Sequence, residues 1–149
     1  ALDATFSALE ANLMNGTIWN YTADNSNEWG DLWNEEDLSI FSRDQQKDPS
    51  DINSGGRALE AVVRPYAAKT AGEPLRMSFS ASSRIFEFEF RHDPRVDAPT
   101  EFYLPKFQYP HGCVVEVTDG DFEIHSDEQL LVYRHTDRQE VHRLRIRPK

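Results

Sequence analysis

The spacing of apolar residues changes once along the chain. From the start, Leu2, Phe6, Leu9 and Leu13 recur at four- and three-residue intervals, which puts them on one face of an amphipathic helix. Asn15-Gly16 ends that helix. The β-branched and aromatic run Thr17-Ile18-Trp19-Asn20-Tyr21-Thr22 predicts a short strand. A long polar stretch follows, and Asp48-Pro49-Ser50-Asp51 through Gly55-Gly56 is turn chemistry. Arg57 to Arg64 reads as a second helix with Leu59, Val62 and Val63 on one side, stopped by Pro65. Helix, strand, loop and helix make up a piece of an α/β fold. Such a piece cannot bury a core alone, so residues 2–22 are expected to be poorly protected in the isolated chain.

After Pro74 the period drops to two. Met77 and Phe79 alternate with polar residues, and Phe86, Phe88 and Phe90 alternate with Glu87 and Glu89, as in an antiparallel strand with one wet face. Further strands are expected over residues 100–104, 114–118, 121–125, 128–135 and 141–147, with Asp119-Gly120 closing a tight hairpin. Tyr66 to Pro74 reads as a short connection, too short and too poor in Gly and Ser for a flexible linker. Seven short strands separated by turn signals predict an all-β antiparallel sandwich.

Charge separates the same two regions. The chain of 149 residues has a net charge of −10, and residues 1–56 hold eleven acids against Arg43 and Lys47, which leaves the remainder near neutral. The absence of a basic face argues against nucleic acid as a partner. Hydrophobic content is only 38%, so the core must lean on its aromatic residues. A single cysteine, Cys113, excludes an internal disulfide and a cysteine-based metal site; its place before Val114-Val115 marks a strand-edge thiol. One cysteine fits an intracellular origin, and a secreted one without disulfides fits too. No apolar run reaches the ~20 residues of a membrane span.

All three tryptophans, Trp19, Trp29 and Trp33, sit in the acidic stretch among Asn, Asp and Glu. Such a composition suits a carbohydrate-binding loop, because an indole stacks on a sugar's C–H face while amides and carboxylates take its hydroxyls. The alternative is a loop pinned to the core by its tryptophans.

The motifs Trp19-Asn20-Tyr21-Thr22, Asp24-Asn25-Ser26-Asn27-Glu28 and Gly30-Asp31-Leu32-Trp33-Asn34-Glu35-Glu36-Asp37-Leu38-Ser39-Ile40 resemble the end of the catalytic barrel in family 5 glycoside hydrolases. The resemblance is to the branch of endoglycoceramidases and fungal glucosylceramidases or steryl-glucosidases. It continues through Gly56-Arg57-Ala58-Leu59, Val63-Arg64-Pro65-Tyr66, Ala98-Pro99-Thr100-Glu101, Leu104-Pro105 and Tyr109-Pro110-His111-Gly112. It implies that residues 1–70 are the last units of a TIM barrel and residues 71–149 an accessory β-sandwich. In such a barrel the functional groups sit at the C-terminal ends of the strands.

The resemblance also implies a retaining β-glycosidase acting on glycosylated lipids, by double displacement and without a cofactor. The family's two catalytic glutamates follow the fourth and seventh barrel strands. This chain begins beyond them, so it holds no catalytic residue and is expected to be inactive alone. Trp19 is the candidate platform under the sugar at the cleavage point, and Tyr21, Asn25, Asn27 and Trp29 could line the site further out. The partners implied are a glycolipid or glycoside substrate, the upstream part of the barrel and, at the periphery, membrane lipid. A non-enzymatic rival is a carbohydrate- or lipid-surface-binding sandwich, which needs an exposed aromatic strip such as Phe102, Tyr103, Phe107 and Tyr109. A third reading is a structural brace under the barrel.

Other chemistry is sparse. Asp24, Ser26, Glu28 and Glu35 fall in an EF-hand register, but Trp29 stands where the loop needs glycine, which argues against calcium. His92, His111, His125, His135 and His142 lack the helical i, i+4 spacing of a metal pair and read as exposed strand or turn residues, so no metal is expected. Asn15-Gly16-Thr17 and Asn20-Tyr21-Thr22 match the glycosylation sequon.

Overall fold

The computed structural model describes residues 1–18, Glu28 and residues 37–149. The chain divides into two compact units, one of residues 1–14 with 63–149 and one of residues 15–62.

The larger unit is the β-sandwich. Eight strands form two four-stranded antiparallel sheets: β1 (Tyr66–Lys69), β2 (Gly72–Ser80), β3 (Ile85–His92), β4 (Thr100–Tyr103), β5 (Cys113–Val117), β6 (Asp121–His125), β7 (Leu130–Arg134) and β8 (Val141–Pro148). One sheet has the order β1-β4-β7-β6, the other β2-β3-β8-β5. Alternation decides which residues face inward. Phe86, Phe88 and Phe90 of β3 and Leu144 and Ile146 of β8 meet Phe102 of β4 and Leu131 and Tyr133 of β7, and all of these are buried. Edge-to-face contacts bind the layers: Phe88 to Phe102 at 5.3 Å, Phe86 to Phe102 at 6.0 Å and Phe90 to Tyr133 at 6.1 Å between ring centres. Aromatic rings thus supply the volume that the low aliphatic content withholds.

Two local expectations change. Tyr66 to Pro74 is more than a connection. Tyr66 and Ala67 pair with Tyr103 and Phe102 to form β1, and β2 already runs from Gly72. Pro74 is accommodated because β2 is a sheet edge, where a missing N–H costs no ladder bond; the register shifts between Pro74 and Arg76. Asp119-Gly120 closes no hairpin, because β5 and β6 belong to different sheets and the turn carries the chain across the sandwich. Gly120 has φ +73°, and a Cβ there would stand 2.1 Å from the Arg134 carbonyl oxygen, so only glycine fits this crossing.

The first helix, α1 (Leu2–Ala11), packs on β2. Leu2, Phe6 and Leu9 are only half-buried, Leu13 just beyond the helix is exposed, and the deepest side chain is the acid Glu10. Glu10 meets Arg64: Nε donates to Oε1 at 2.6 Å and Nη2 to Oε2 at 2.8 Å. Arg64 also donates to Asp3 at 2.7 Å and to the Phe79 carbonyl at 2.9 Å, while the Phe79 N–H donates to Glu10 at 3.1 Å. The guanidinium lies 4.9 Å from the Phe79 ring centre and 5.8 Å from that of Phe6. Burial disfavours the Arg64 charge, but Glu10 and Asp3 outweigh it and raise its pKa. This ion pair ties α1 to the sandwich.

In the smaller unit, α2 (Leu59–Val62) is a single turn, shorter than the expected helix from Arg57 to Arg64. Phe41 bridges Gly56, and Arg57 pairs with Asp37 at 2.6 Å. Ser54 Oγ accepts the N–H groups of Lys47 and Asp48, closing the predicted turn. The expected strand from Thr17 lies outside the described residues from Trp19 onward, and Thr17 and Ile18 belong to no regular element. Among the described residues no helix is long and apolar enough to cross a membrane.

Removing one partner of a buried ion pair leaves an uncompensated charge. Arg64→Ala is therefore expected to lower stability by about 3–5 kcal/mol, read from the urea midpoint. Because the Glu10–Arg64 pair anchors the helix, amides of α1 in the parent should exchange as slowly as those of β2, against the poor protection expected for residues 2–22 from the apolar pattern, and become fast in the variant. Fast exchange of α1 in the parent would show that the pair does not anchor it.

Candidate functional site

Trp19, Tyr21, Asn25, Asn27 and Trp29 all lie outside the described residues, as do Asp24, Ser26 and Glu35 of the calcium register. Among the described residues, a different group comes together: His92, His135, His142 and Asp119.

The sheet pairing explains the convergence. On β3 the inward row Phe86, Phe88, Phe90 ends in His92; on β8 the row Ile146, Leu144 ends in His142, which is opposite Phe90. On β7 the row Leu131, Tyr133 continues to His135. Three inward rows thus end in imidazoles at the same end of the sandwich. The rings lie 4.6 Å (His135 to His142), 4.9 Å (His92 to His135) and 5.2 Å (His92 to His142) apart. His142 is fully buried, and His92 and His135 are half-buried; only His111 and His125 fit the expectation of exposed histidines. The reason is the two-residue period, which assigns these three positions to the core face whatever their polarity.

Asp119 organises the group. Its Oδ1 is 2.8 Å from His142 Nδ1 and accepts from Tyr133 Oη at 2.9 Å; its Oδ2 accepts from the Thr136 N–H at 3.0 Å and from the Thr136 hydroxyl. Burial opposes the charge, but the bonds from Thr136, His142 and Tyr133 prevail and hold the carboxyl well below the usual carboxylate range. An ionised carboxylate only accepts, so His142 carries its proton on Nδ1. His142 Nε2 faces His92 Nδ1 at 3.0 Å. His135 Nδ1 is buried without a hydrogen-bond partner. Burial, then the neighbouring His142 and His92, push the His135 pKa down.

The aromatic strip of the binding-module reading does not form. Phe102 and Tyr109 are buried in the core, and Tyr103 and Phe107 are half-buried. Tyr109 Oη donates to the Arg84 carbonyl at 3.1 Å, so its polar end faces protein. Cys113 is half-buried on the edge strand β5, and burial raises its pKa, as for an inert thiol.

Residues 64–146, which take in β1 to β7, most of β8 and the histidine group, match the sequence profile of the glycoside hydrolase family 5 C-terminal domain. The chain belongs to this family. A glucosylceramidase of Rhizopus delemar is 40% identical over 148 residues, covering 90% of this chain and 22% of the relative. The crystal structure of Cryptococcus neoformans sterylglucosidase 1 superposes with a TM-score of 0.89 at 30% identity, covering 100% of this chain and 24% of that one. Endo-glycoceramidase II from Rhodococcus sp. shares the fold, with a TM-score of 0.71 at 18% identity over 99% of this chain and 29% of its own. The chain therefore spans about a quarter of the length of the relatives it matches.

Within this family 5 C-terminal domain, Asp119 joins the β5–β6 crossing to β7 and β8. Asp119→Ala leaves the Thr136 N–H, the Thr136 hydroxyl and His142 Nδ1 without their acceptor, while Tyr133 Oη keeps the Asp119 backbone carbonyl at 2.9 Å. The expected loss is about 3 kcal/mol, at 1–3 kcal/mol per stranded buried group with partial relief by water. Thermal melting should drop by roughly 6–12 °C, with Asp119→Asn losing less. An unchanged melting temperature in Asp119→Ala would remove the carboxylate from this structural role.

Proposed function

We propose that this chain is the C-terminal portion of a retaining β-glycosidase that hydrolyses glycosylated lipids such as glucosylceramide or a steryl glucoside. The observation that carries this reading is the match of residues 64–146 to the family 5 C-terminal domain, together with 40% identity to a glucosylceramidase across nine-tenths of the chain. The likeness to a sterylglucosidase extends over the whole chain and keeps the steryl glucoside in the substrate class.

On this proposal the stretch expected over residues 1–70 is the last units of the catalytic barrel, except that Tyr66–Lys69 form β1 of the sandwich and α1 rests on β2, and the sandwich is its accessory domain. Trp19 stacks under the sugar at the cleavage point, and Tyr21, Asn25, Asn27 and Trp29 take hydroxyls further out. The acid/base and nucleophile, two carboxyls about 5 Å apart, come from the barrel upstream of this chain. Glycolipid substrate brings the barrel mouth close to membrane lipid at its periphery.

The longer protein carrying this chain should release glucose from glucosylceramide or from a steryl glucoside, with retention at the anomeric carbon. Release from neither lipid would sink the substrate class. The purified chain alone should show no turnover of an aryl β-glucoside above a blank, because it lacks the carboxyl pair. Trp19→Ala in the longer protein should lower kcat/KM by roughly fivefold or more, as lost stacking is worth on the order of 1 kcal/mol. Its melting temperature should change little. An unchanged rate with a lower melting temperature would make Trp19 a packing residue.

A further inference from the structure

The histidine group has the layout of a transition-metal site. A ring nitrogen from each of His92, His135 and His142 lies within 4.8 Å of the other two. Tetrahedral zinc with Zn–N bonds of ~2.0–2.1 Å holds its nitrogens about 3.3 Å apart. The pair His92 Nδ1 and His142 Nε2, at 3.0 Å, is already near that spacing. The third nitrogen needs a ring adjustment on the order of 1 Å, which the half-exposed His135 at the end of β7 can make.

Three further features fit a metal better than a polar core cluster. His142 Nδ1 is bound to the Asp119 carboxylate at 2.8 Å, which leaves Nε2 as the lone-pair nitrogen turned toward the other two rings. That carboxylate–histidine arrangement is the usual outer support of a metal-bound imidazole. Secondly, His135 Nδ1 is buried with no partner, a cost that a core cluster would leave standing. Thirdly, the group is reachable. A cleft of about 480 Å³ is lined by Asp97, Arg134, His135, Thr136 and Asp137, and an adjoining one by His92, Asp93 and Glu140.

We propose that His92, His135 and His142 bind one zinc-class divalent cation, oriented by Asp119 and completed by water from the cleft. An all-imidazole set selects zinc, nickel, cobalt or copper over magnesium and calcium. The ion would act as a clamp between layers. His92 and His142 belong to the sheet containing β3 and β8, whereas His135 follows β7 of the other sheet. This proposal is independent of the substrate reading, since the site uses only sandwich residues.

The test uses the full chain with any purification tag removed. After dialysis against about 10 μM free zinc, elemental analysis should find one zinc per chain, and zinc but not magnesium should raise the melting temperature by on the order of 5 °C. X-ray absorption of the zinc form should show three imidazole nitrogens at about 2.0 Å. His135→Ala should abolish retention, and Asp119→Asn should weaken it by about 10–100-fold. The double variant His111→Ala, His125→Ala should bind as the parent does. If His135→Ala does not fold, His92→Ala and the absorption spectrum of the parent decide. Absence of retained zinc, an oxygen-dominated shell, or loss of binding in the His111/His125 variant would overturn the site.

Discussion

The two-residue period of the strands, applied to two sheets that face each other, is the constraint on which the rest of this structure depends. It turns Phe86, Phe88, Phe90, Leu144 and Ile146 toward Phe102, Leu131 and Tyr133, and no polarity at the next position exempts that residue from the same face. The sandwich therefore carries its inward rows to their ends, and three of those ends are histidines. Burying imidazoles is costly unless their nitrogens are engaged. Asp119, placed by a crossing that only Gly120 permits, engages His142 and in doing so fixes its tautomer.

At the opposite extreme of polarity, the outer faces of the same strands carry charge. Arg143 meets Glu89 at 2.5 Å, Arg147 meets Glu116 at 3.4 Å and Arg145 meets Glu87 at 3.6 Å. These exposed pairs are each worth ~0–1 kcal/mol and serve to keep the face wet. The buried Glu10–Arg64 pair differs in kind. Its partners come from α1 and from Arg64, two residues before β1, and both ions are sealed by backbone groups of Phe79 and by aromatic rings. It fixes where the helix sits, and neither half is tolerable alone.

Much of the sandwich is readable from residue order. Five apolar residues spaced by two, in β3 and β8, mark an inward face, and the same count extended by one step reaches His92 and His142. That step is easily missed when histidines are tested for helical metal spacing, since ligands on three strands share no fixed sequence interval. Strand β1 left little trace because Tyr66-Ala67-Ala68-Lys69 has no strong alternation and forms only by pairing with β4. The Trp19–Trp29 segment suggests sugar chemistry through composition and family motif alone, since its geometry lies outside the described residues.

The sequence by itself determined the all-β character after Pro74, the aromatic core and the family, because alternation, side-chain size and motif order are local properties of the chain. Tertiary structure alone decided which strands share a sheet, that Asp119-Gly120 crosses between sheets, that Glu10 is the buried residue of α1, and that three distant histidines meet. Each of these depends on pairing between segments tens of residues apart, such as Arg64 with Glu10 or His92 with His142. Their energy comes from desolvation and mutual geometry, which exist only once the layers have closed.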